Sequence, residues 1–530
     1  MRLRVTLVLV TVLTSGAVVA QERFKAADVI GQPFDVQKIL RGPPRIPLRN
    51  EGDHIKNVNE VLDLVAEDLA AQKLSGIDVS RLRYVFLHSI PPHMRASTRS
   101  ALPFWVNSMS RSDEVVPPQP VPNTEEMVYR LNIDDYEWTP EAWEKVSGQD
   151  PYLRAPVVQG QAITFIKQNI GNGVVRADWF IYHASDPSLT RTKADDAPYY
   201  VLTYARTKFT SQHQVRDTRG NTTNKAVVEI RPPRNGQEFR DVWGVSLKDA
   251  LDFRSDRGAV VNEGDSGKMT GTPVAFNARL LRYVNGKIGY YWQTFDNQAS
   301  VGDRDYAENT QNFEGEANEY IVQGLNHLQF YFLSDGQGSR VEFADPRIVR
   351  DTTDNLHRPL RNGVSCAICH VVGINPFRSY VRQTTEDGVE NHHTEQESLR
   401  RFNRFHLSNV DKIVQRNQED YAEAVERCNG LTPQENAFQF HSFRTWYEKP
   451  LDKAQICREL ACTVDELDAS LSVGVKRRLN HLLITDTPVP RTTWESGLYA
   501  ESALLLMEYR KGLAEKKNKA ATAKVAGRST

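Results

Sequence analysis

The sequence predicts an α+β protein in which a mixed, strand-rich N-terminal region is followed by a helical region built around the pentapeptide Cys366-Ala367-Ile368-Cys369-His370. Two patterns carry that reading. Between about residues 157 and 350, short apolar or alternating runs are separated by Gly, Asn and Asp; examples are Tyr199 to Tyr204, Lys225 to Ile230, Ala275 to Val284 and Leu328 to Leu333. Beyond the pentapeptide the pattern becomes helical, in Glu397 to Arg404, Val410 to Arg427, Pro433 to Glu448 and Val464 to Val473. Two of these stretches have defined starts. Thr432-Pro433-Gln434-Glu435 and Thr463-Val464-Asp465-Glu466 have the capping-box form, in which hydroxyl and acid satisfy two orphan amides reciprocally.

The N-terminal part is punctuated differently. Val58, Val61, Leu62, Leu64, Val65 and Leu69 recur at helical spacing. The apolar run Arg83 to Ile90 is broken by Pro91-Pro92, and Ser97 to Met109 reads as a helix. The proline-rich Val115 to Pro122 reads as a linker. Thr139-Pro140-Glu141 opens a short helix with a capping hydroxyl, a first-position proline and an early acid. Asp335-Gly336-Gln337-Gly338 sits between strand-like runs, where an Asp-Gly pair suits a hairpin because both residues tolerate positive φ. Lys511 to Thr530 is rich in Lys and Ala without an apolar face, and reads as a disordered tail.

The expected organisation is therefore a signal peptide over 1–20, a helical N-terminal region over 21–122, a mixed strand-rich domain over 123–355, a helical region over 356–510 and a tail over 511–530. The signal peptide follows from Arg2 and Arg4, the apolar run Val5 to Leu13, and Val18-Val19-Ala20 ahead of Gln21-Glu22. Cleavage near Ala20 makes the protein periplasmic or secreted. No later segment has the roughly 18 consecutive apolar residues of a membrane span, so no stable membrane insertion is expected. At 66 basic and 67 acidic side chains the net charge is −1, which argues against nucleic acid and anionic membrane surfaces as partners. With 530 residues, 40 % of them hydrophobic, the chain buries a sizeable core and is far longer than a minimal electron carrier.

Cys-x-x-Cys-His is what thioether attachment of haem requires. Two thiols reach the porphyrin vinyl groups and the adjacent imidazole reaches the iron. With 5 cysteines and 13 histidines in the chain, a chance match is on the order of one in a thousand. Zinc normally calls for a second Cys/His pair at matching spacing, which the remaining cysteines do not supply. A redox dithiol belongs at a strand-to-helix junction, whereas Arg361-Asn362-Gly363 precedes this motif and Gly373-Ile374-Asn375-Pro376 follows it. Cys366 and Cys369 are thus expected to bind one covalent haem c, with His370 as the proximal iron ligand. Its other ring nitrogen needs an acceptor, for which a backbone carbonyl near Asn375-Pro376 is expected. Arg361 and Arg378 are either propionate partners or simply solvated.

The sixth iron position decides the chemistry. His392 and His393 lie in the polar loop Glu390 to Glu395 and are distal candidates, with His406, His441 and His481 in helical segments behind them. Met507 is the one methionine after the motif, and an apolar helix face accounts for it equally well. Three cysteines remain. One disulfide is expected, joining Cys428 to Cys457 or Cys462 and stapling two C-terminal helices.

Several stretches resemble a functionally uncharacterised family of large exported bacterial proteins with a single c-type haem. They are Arg83-Tyr84 through His88, Val106-Asn107-Ser108, Arg176-Ala177-Asp178-Trp179-Phe180, Tyr290 through Asp296, and Leu328 through Asp335 leading into Asn362-Gly363-Val364-Ser365-Cys366. The likeness covers about 80 to 380. It implies a haem c protein with a long non-haem region and no assigned reaction. The family pattern has Met four residues after the motif histidine, where this chain has Ile374. His88 matches a family histidine and becomes the leading distal candidate.

Electron transfer is the expected activity, because haem c licenses it whatever else the protein does. A peroxidase- or oxygenase-like enzyme with an open iron and a gas or redox sensor are the alternatives. The partner is correspondingly an unidentified redox protein or a small-molecule substrate.

Overall fold

The computed structural model describes residues 58–148, 161–185, 197–245 apart from 217, 219 and 221, 257–263, 278–285, 289–297, 315–345, 360–376, 410–479, 482, 485 and 487–526. The expected signal peptide, the segment 397–404, and His392, His393, His406, His481 and Arg378 lie outside them.

Helix α1 (Val58–Leu74) buries Val61, Leu62, Val65 and Leu69, the stripe that its spacing announces. Strand β1 (Leu82–Phe86) is buried at every position, as befits a central strand covered on both faces. Pro91 and Pro92 end that run, and Pro92 opens α2 (Pro92–Ser108) at the one helical position where a missing N–H costs nothing. Strands β2 (Gln119–Pro120) and β3 (Val128–Asn132) follow, then α3 (Pro140–Gly148), where the Thr139 hydroxyl accepts from the Ala142 amide at 3.1 Å. Next come α4 (Gln161–Ile170), β4 (Val174–Arg176), α5 (Ala177–Ser185) and α6 (Pro198–Thr203). The first sheet has the order β2-β3-β1-β4, with β1 antiparallel to β3 and parallel to β4.

Strands β5 (Lys208–Arg216) and β6 (Thr222–Ile230) form a separate two-stranded ribbon, followed by α7 (Gly236–Val242). Strands β7 (Arg257–Glu263), β8 (Ala278–Asn285), β9 (Tyr290–Asn297), β10 (Ala317–Gln323) and β11 (Gln329–Asp335) make an antiparallel meander in chain order. The remaining elements are helical: α8 (Val364–Cys369), α9 (Val410–Asn429), α10 (Pro433–Tyr447), α11 (Lys453–Leu460), α12 (Val464–Ser470), α13 (Val473–Arg478), α14 (Arg491–Thr493), a π-turn over Trp494–Leu498 and α15 (Tyr499–Ala526). Both capping boxes form, at Thr432 with Glu435 and at Thr463 with Glu466. Helices account for 53 % of the described residues beside the two larger sheets, which makes the class α+β.

Four details differ from the sequence reading. Tyr199 to Tyr204 is not a strand but mostly α6, whose six residues are all buried, so no periodic pattern separates strand from helix. The proline-rich run is not a free linker. Asn107 accepts from the Val116 amide at 2.8 Å and donates to the Val116 carbonyl at 3.0 Å, and β2 then joins the sheet, which therefore crosses residue 122. Val464 to Val473 is interrupted where Ser472 caps α13 by accepting from the Val475 amide at 3.3 Å. Helix α15 runs to Ala526 instead of ending near residue 511, because Ala, Lys and Glu are strong helix formers even without an apolar face.

One buried cluster runs from Val61 to Leu506, so the expected sections share a core. Trp105 of α2 packs on Phe440 of α10 with ring centres 4.7 Å apart. The Trp292 indole of β9 donates to Asn417 of α9 at 2.8 Å. The most demanding contact is ionic. Arg176 at the end of β4 pairs with Asp178 at 2.6 Å and with Glu459 of α11 at 3.3 Å, all fully buried. Glu459 also accepts from Arg491 at 3.0 Å, from the Trp494 indole at 2.9 Å and from Gln455 at 3.2 Å. Arg176 and Arg491 are thus countered inside the protein by Asp178 and Glu459, with Glu495 a further 3.7 Å from Arg491. Replacing Glu459 by alanine leaves two buried guanidinium groups short of countercharge and is expected to cost about 3 to 5 kcal/mol in urea unfolding. A cost below about 1 kcal/mol would show that water reaches this network.

Candidate functional site

The motif helix is positioned by the strand-rich region. Ala344 donates to the Leu360 carbonyl at 2.9 Å and Asn362 donates to the Glu342 carbonyl at 3.0 Å, which ties the approach to the stretch after β11. The Asn362 amide also donates to the Tyr200 hydroxyl. Gly363, at φ 83°, then turns the chain into α8. Cys366 and Cys369 are three residues apart on this single-turn helix, so both sulfurs leave the same face, and both are buried.

His370 ends the helix, its amide donating to the Cys366 carbonyl at 2.7 Å. The chain then folds back so that Gly373 donates to the His370 carbonyl at 3.0 Å while the Gly373 carbonyl lies 3.1 Å from His370 Nδ1. A carbonyl only accepts, so Nδ1 carries the hydrogen and the ring is fixed with Nε2 directed away. The acceptor is Gly373 and not a carbonyl near Asn375-Pro376. Glycine is required there on two counts: φ is 87°, and a Cβ would come within 3.1 Å of Tyr421 Cβ on α9. Nε2 faces the Glu319 carboxylate of β10 at 3.3 Å, and the Tyr331 ring of β11 lies 6.0 Å from the imidazole.

The Cys366 thiol sits in an environment that disfavours thiolate. Burial pushes the Cys366 thiol far up, and the neighbouring Glu319 charge adds to it. A zinc site or a redox dithiol needs the opposite, a stabilised thiolate. A thioether carries no charge, so two buried sulfurs fit covalent attachment of a porphyrin, and His370 Nε2 would hold the iron only after giving up its contact with Glu319. Among the described residues no group of three or more His, Cys, Asp or Glu side chains is arranged to hold a metal ion, and thioether-bound haem calls for no such group.

Arg361 is not solvated. It is buried and donates to Glu448 at 2.8 Å, and the same carboxylate accepts from Arg444 at 3.1 Å and from Tyr182 at 2.8 Å. Burial raises the Glu448 carboxyl, but Arg444 and Arg361 outweigh it and hold the group at about 2.

His88 lies elsewhere. It is buried with both ring nitrogens unpartnered, edge-on to Phe86 at 5.9 Å, and its charged neighbours are Arg176, Glu459 and Arg95. Burial, with Arg176 beside it, lowers its pKa to about 3 and keeps it neutral. The hydrogen-bond and ring partners of His370 are Gly373, Glu319 and Tyr331. Met507 is half-buried on α15. The expected pairing of Cys428 with Cys457 or Cys462 is not what the fold brings together. Cys428 lies near Tyr136 and Tyr421, while Cys457 and Cys462 are neighbours at the end of α11, the Cys462 amide donating to the Cys457 carbonyl at 3.0 Å.

Glu319 and Gly373 are the site residues that the sequence reading omitted. Nothing in the local spacing marks Glu319, which reaches His370 across 51 positions. Gly373, three residues past the histidine, was open to a turn argument. No family model matches this chain, and no curated protein or solved structure matches it either.

Two measurements check the geometry. Gly373→Ala is expected to lower stability by about 1 to 3 kcal/mol in urea, since it forces a positive φ on a side chain that also meets Tyr421. The Glu448 carboxyl is depressed from 4.5 to about 2. Its stabilisation is therefore complete above pH 4.5 and lost as pH falls toward 2, on the order of 3 kcal/mol in total. Glu448→Gln is expected to flatten the stability profile in that window, and an unchanged acid limb would remove Glu448 as its source.

Proposed function

We propose that this chain is an exported c-type haem protein that transfers electrons through a single covalently attached haem, in the periplasm or outside the cell. The observation that carries the proposal is the arrangement at α8: two buried sulfurs on one helical face, next to an imidazole whose Nδ1 is tied to Gly373, so that Nε2 is the ring atom left to bind iron once its contact with the Glu319 carboxylate opens. Cys366 and Cys369 would hold the porphyrin through thioethers, each formed when an S–H adds across a vinyl group, and His370 would hold the iron. Bound haem supplies one-electron exchange at iron. The protein's own contribution is to fix the imidazole tautomer, to withdraw the sulfurs from water and to tie the motif to β10 and to the Arg361–Glu448 pair. Among the described helices none is long and apolar enough to cross a membrane, in keeping with a partner met in solution or at a surface.

The test is an absorption spectrum of protein exported by a cell that attaches haem c. Colour that stays with the chain after denaturation and acid extraction is expected, lost in the Cys366→Ser, Cys369→Ser double variant. A wild-type chain without covalent haem overturns the proposal. Low-spin bands in the reduced form, unmoved by carbon monoxide, are expected of an electron carrier. A high-spin spectrum with rapid carbon monoxide binding would replace the carrier by a haem enzyme or a gas sensor.

A further inference from the structure

The C-terminal end of α11 brings a second pair of cysteines together. The helix stops at Ala461, which sits in the left-handed region at φ 51° and ψ 51°. Two backbone bonds close this end: Ala461 donates to the Arg458 carbonyl at 3.1 Å, and Cys462 donates to the Cys457 carbonyl at 3.0 Å. Together they make a Schellman motif, whose geometry packs the side chain beyond the cap against one in the last helical turn. Two hydrophobic groups commonly fill that contact. Here both positions are cysteine, so the motif sets the Cys457 and Cys462 side chains against each other.

The junction is held from both sides. Arg510 of α15 donates to the Ala461 carbonyl at 2.8 Å and pairs with Glu466 at 3.1 Å, while Thr463 caps α12. Cys457 is buried and Cys462 is partly open to solvent, so a reagent meets one end of the pair.

We propose that Cys457 and Cys462 form a disulfide by exchange with an external disulfide donor. One cysteine, as thiolate, attacks a donor sulfur, giving a mixed disulfide and releasing one donor thiol. The other, also deprotonated, attacks the protein-side sulfur of that mixed disulfide and releases the second donor thiol. The pair loses two protons and two electrons, and the donor disulfide is reduced to two thiols. A thiolate is accessible because the neighbouring Cys462 thiol, with Lys453 and Arg458 assisting, holds Cys457 below the usual thiol range against burial and the Asp468 charge. Cys428 takes no part. It is buried on α9, and burial pushes its thiol up to about 12. The bond locks the end of the helix that presents Glu459 to Arg176 and Arg491.

The full chain is incubated with oxidised glutathione, its free thiols are blocked with N-ethylmaleimide at acid pH, and it is digested with trypsin without reductant. Cleavage after Lys453 and Arg458 separates the two cysteines, so the bond leaves peptides 454–458 and 459–476 linked and two hydrogen atoms lighter than their sum. That linked pair is expected in wild type and in Cys428→Ser, and absent in Cys462→Ser. In urea the linked form is expected to have a folding equilibrium constant larger than that of Cys462→Ser by a factor on the order of ten. Recovery of 454–458 and 459–476 as separate maleimide adducts, or either joined to 428–444, overturns the proposal.

Discussion

Glu459 stands where the N-terminal sheet meets the C-terminal helices, and its two oxygens receive the guanidinium groups of Arg176 and Arg491 and the indole of Trp494. Removing such charges from water costs several kcal/mol per ion, recovered only while the geometry stays complete. The N-terminal sheet and the C-terminal helices are joined through it. Arg176 fixes the end of β4, β4 pairs with β1, and β1 carries β3 and β2 with it. On the other side, α11 and the π-turn after α14 are held at fixed depth. Helix α10 is held between, with Trp105 of α2 on one side and Tyr182 of α5 stacked on Tyr447 on the other. The described segments from α1 to α15 are therefore parts of one core.

The motif depends on that core in turn. Its helix has a single turn, too short to be stable alone, and its flanks are fixed by groups from distant segments: Glu342 and Tyr200 before it, Glu319 and Tyr421 beside it, and Glu448 at Arg361. The chain draws this setting from the five-stranded sheet and from α6, α9 and α10, which gives the long region ahead of the motif a structural task.

What was legible in the sequence is what local physics decides. The stripe of α1, the two capping boxes, the Pro92 start of α2 and the pentapeptide itself each involve residues within a few positions of one another. Tyr199 to Tyr204 was misread because burial on every side removes the period that distinguishes helix from strand; Pro198 at the first position was the available signal. The acceptor for His370 was placed two residues too far along, since the positive φ of Gly373 tightens the turn. Glu319 could not be read at all, because its approach to Nε2 is created by strand pairing and not by spacing. His88 was singled out by resemblance, and the fold puts it beside Arg176 and Glu459 rather than beside His370.

The burial of Cys366 and Cys369 imposes an order of events. In the finished fold neither sulfur is open to solvent, and Tyr421 of α9 lies against the turn that holds His370. Chain synthesis runs from the N-terminus, so β10, β11 and the motif emerge before α9 and α10 exist to cover them. A porphyrin, or any reagent of that size, meets both thiols only in that interval or after partial opening. Docking of α9 is thus a closing step over the two thiols, after which their chemistry depends on local opening of the fold.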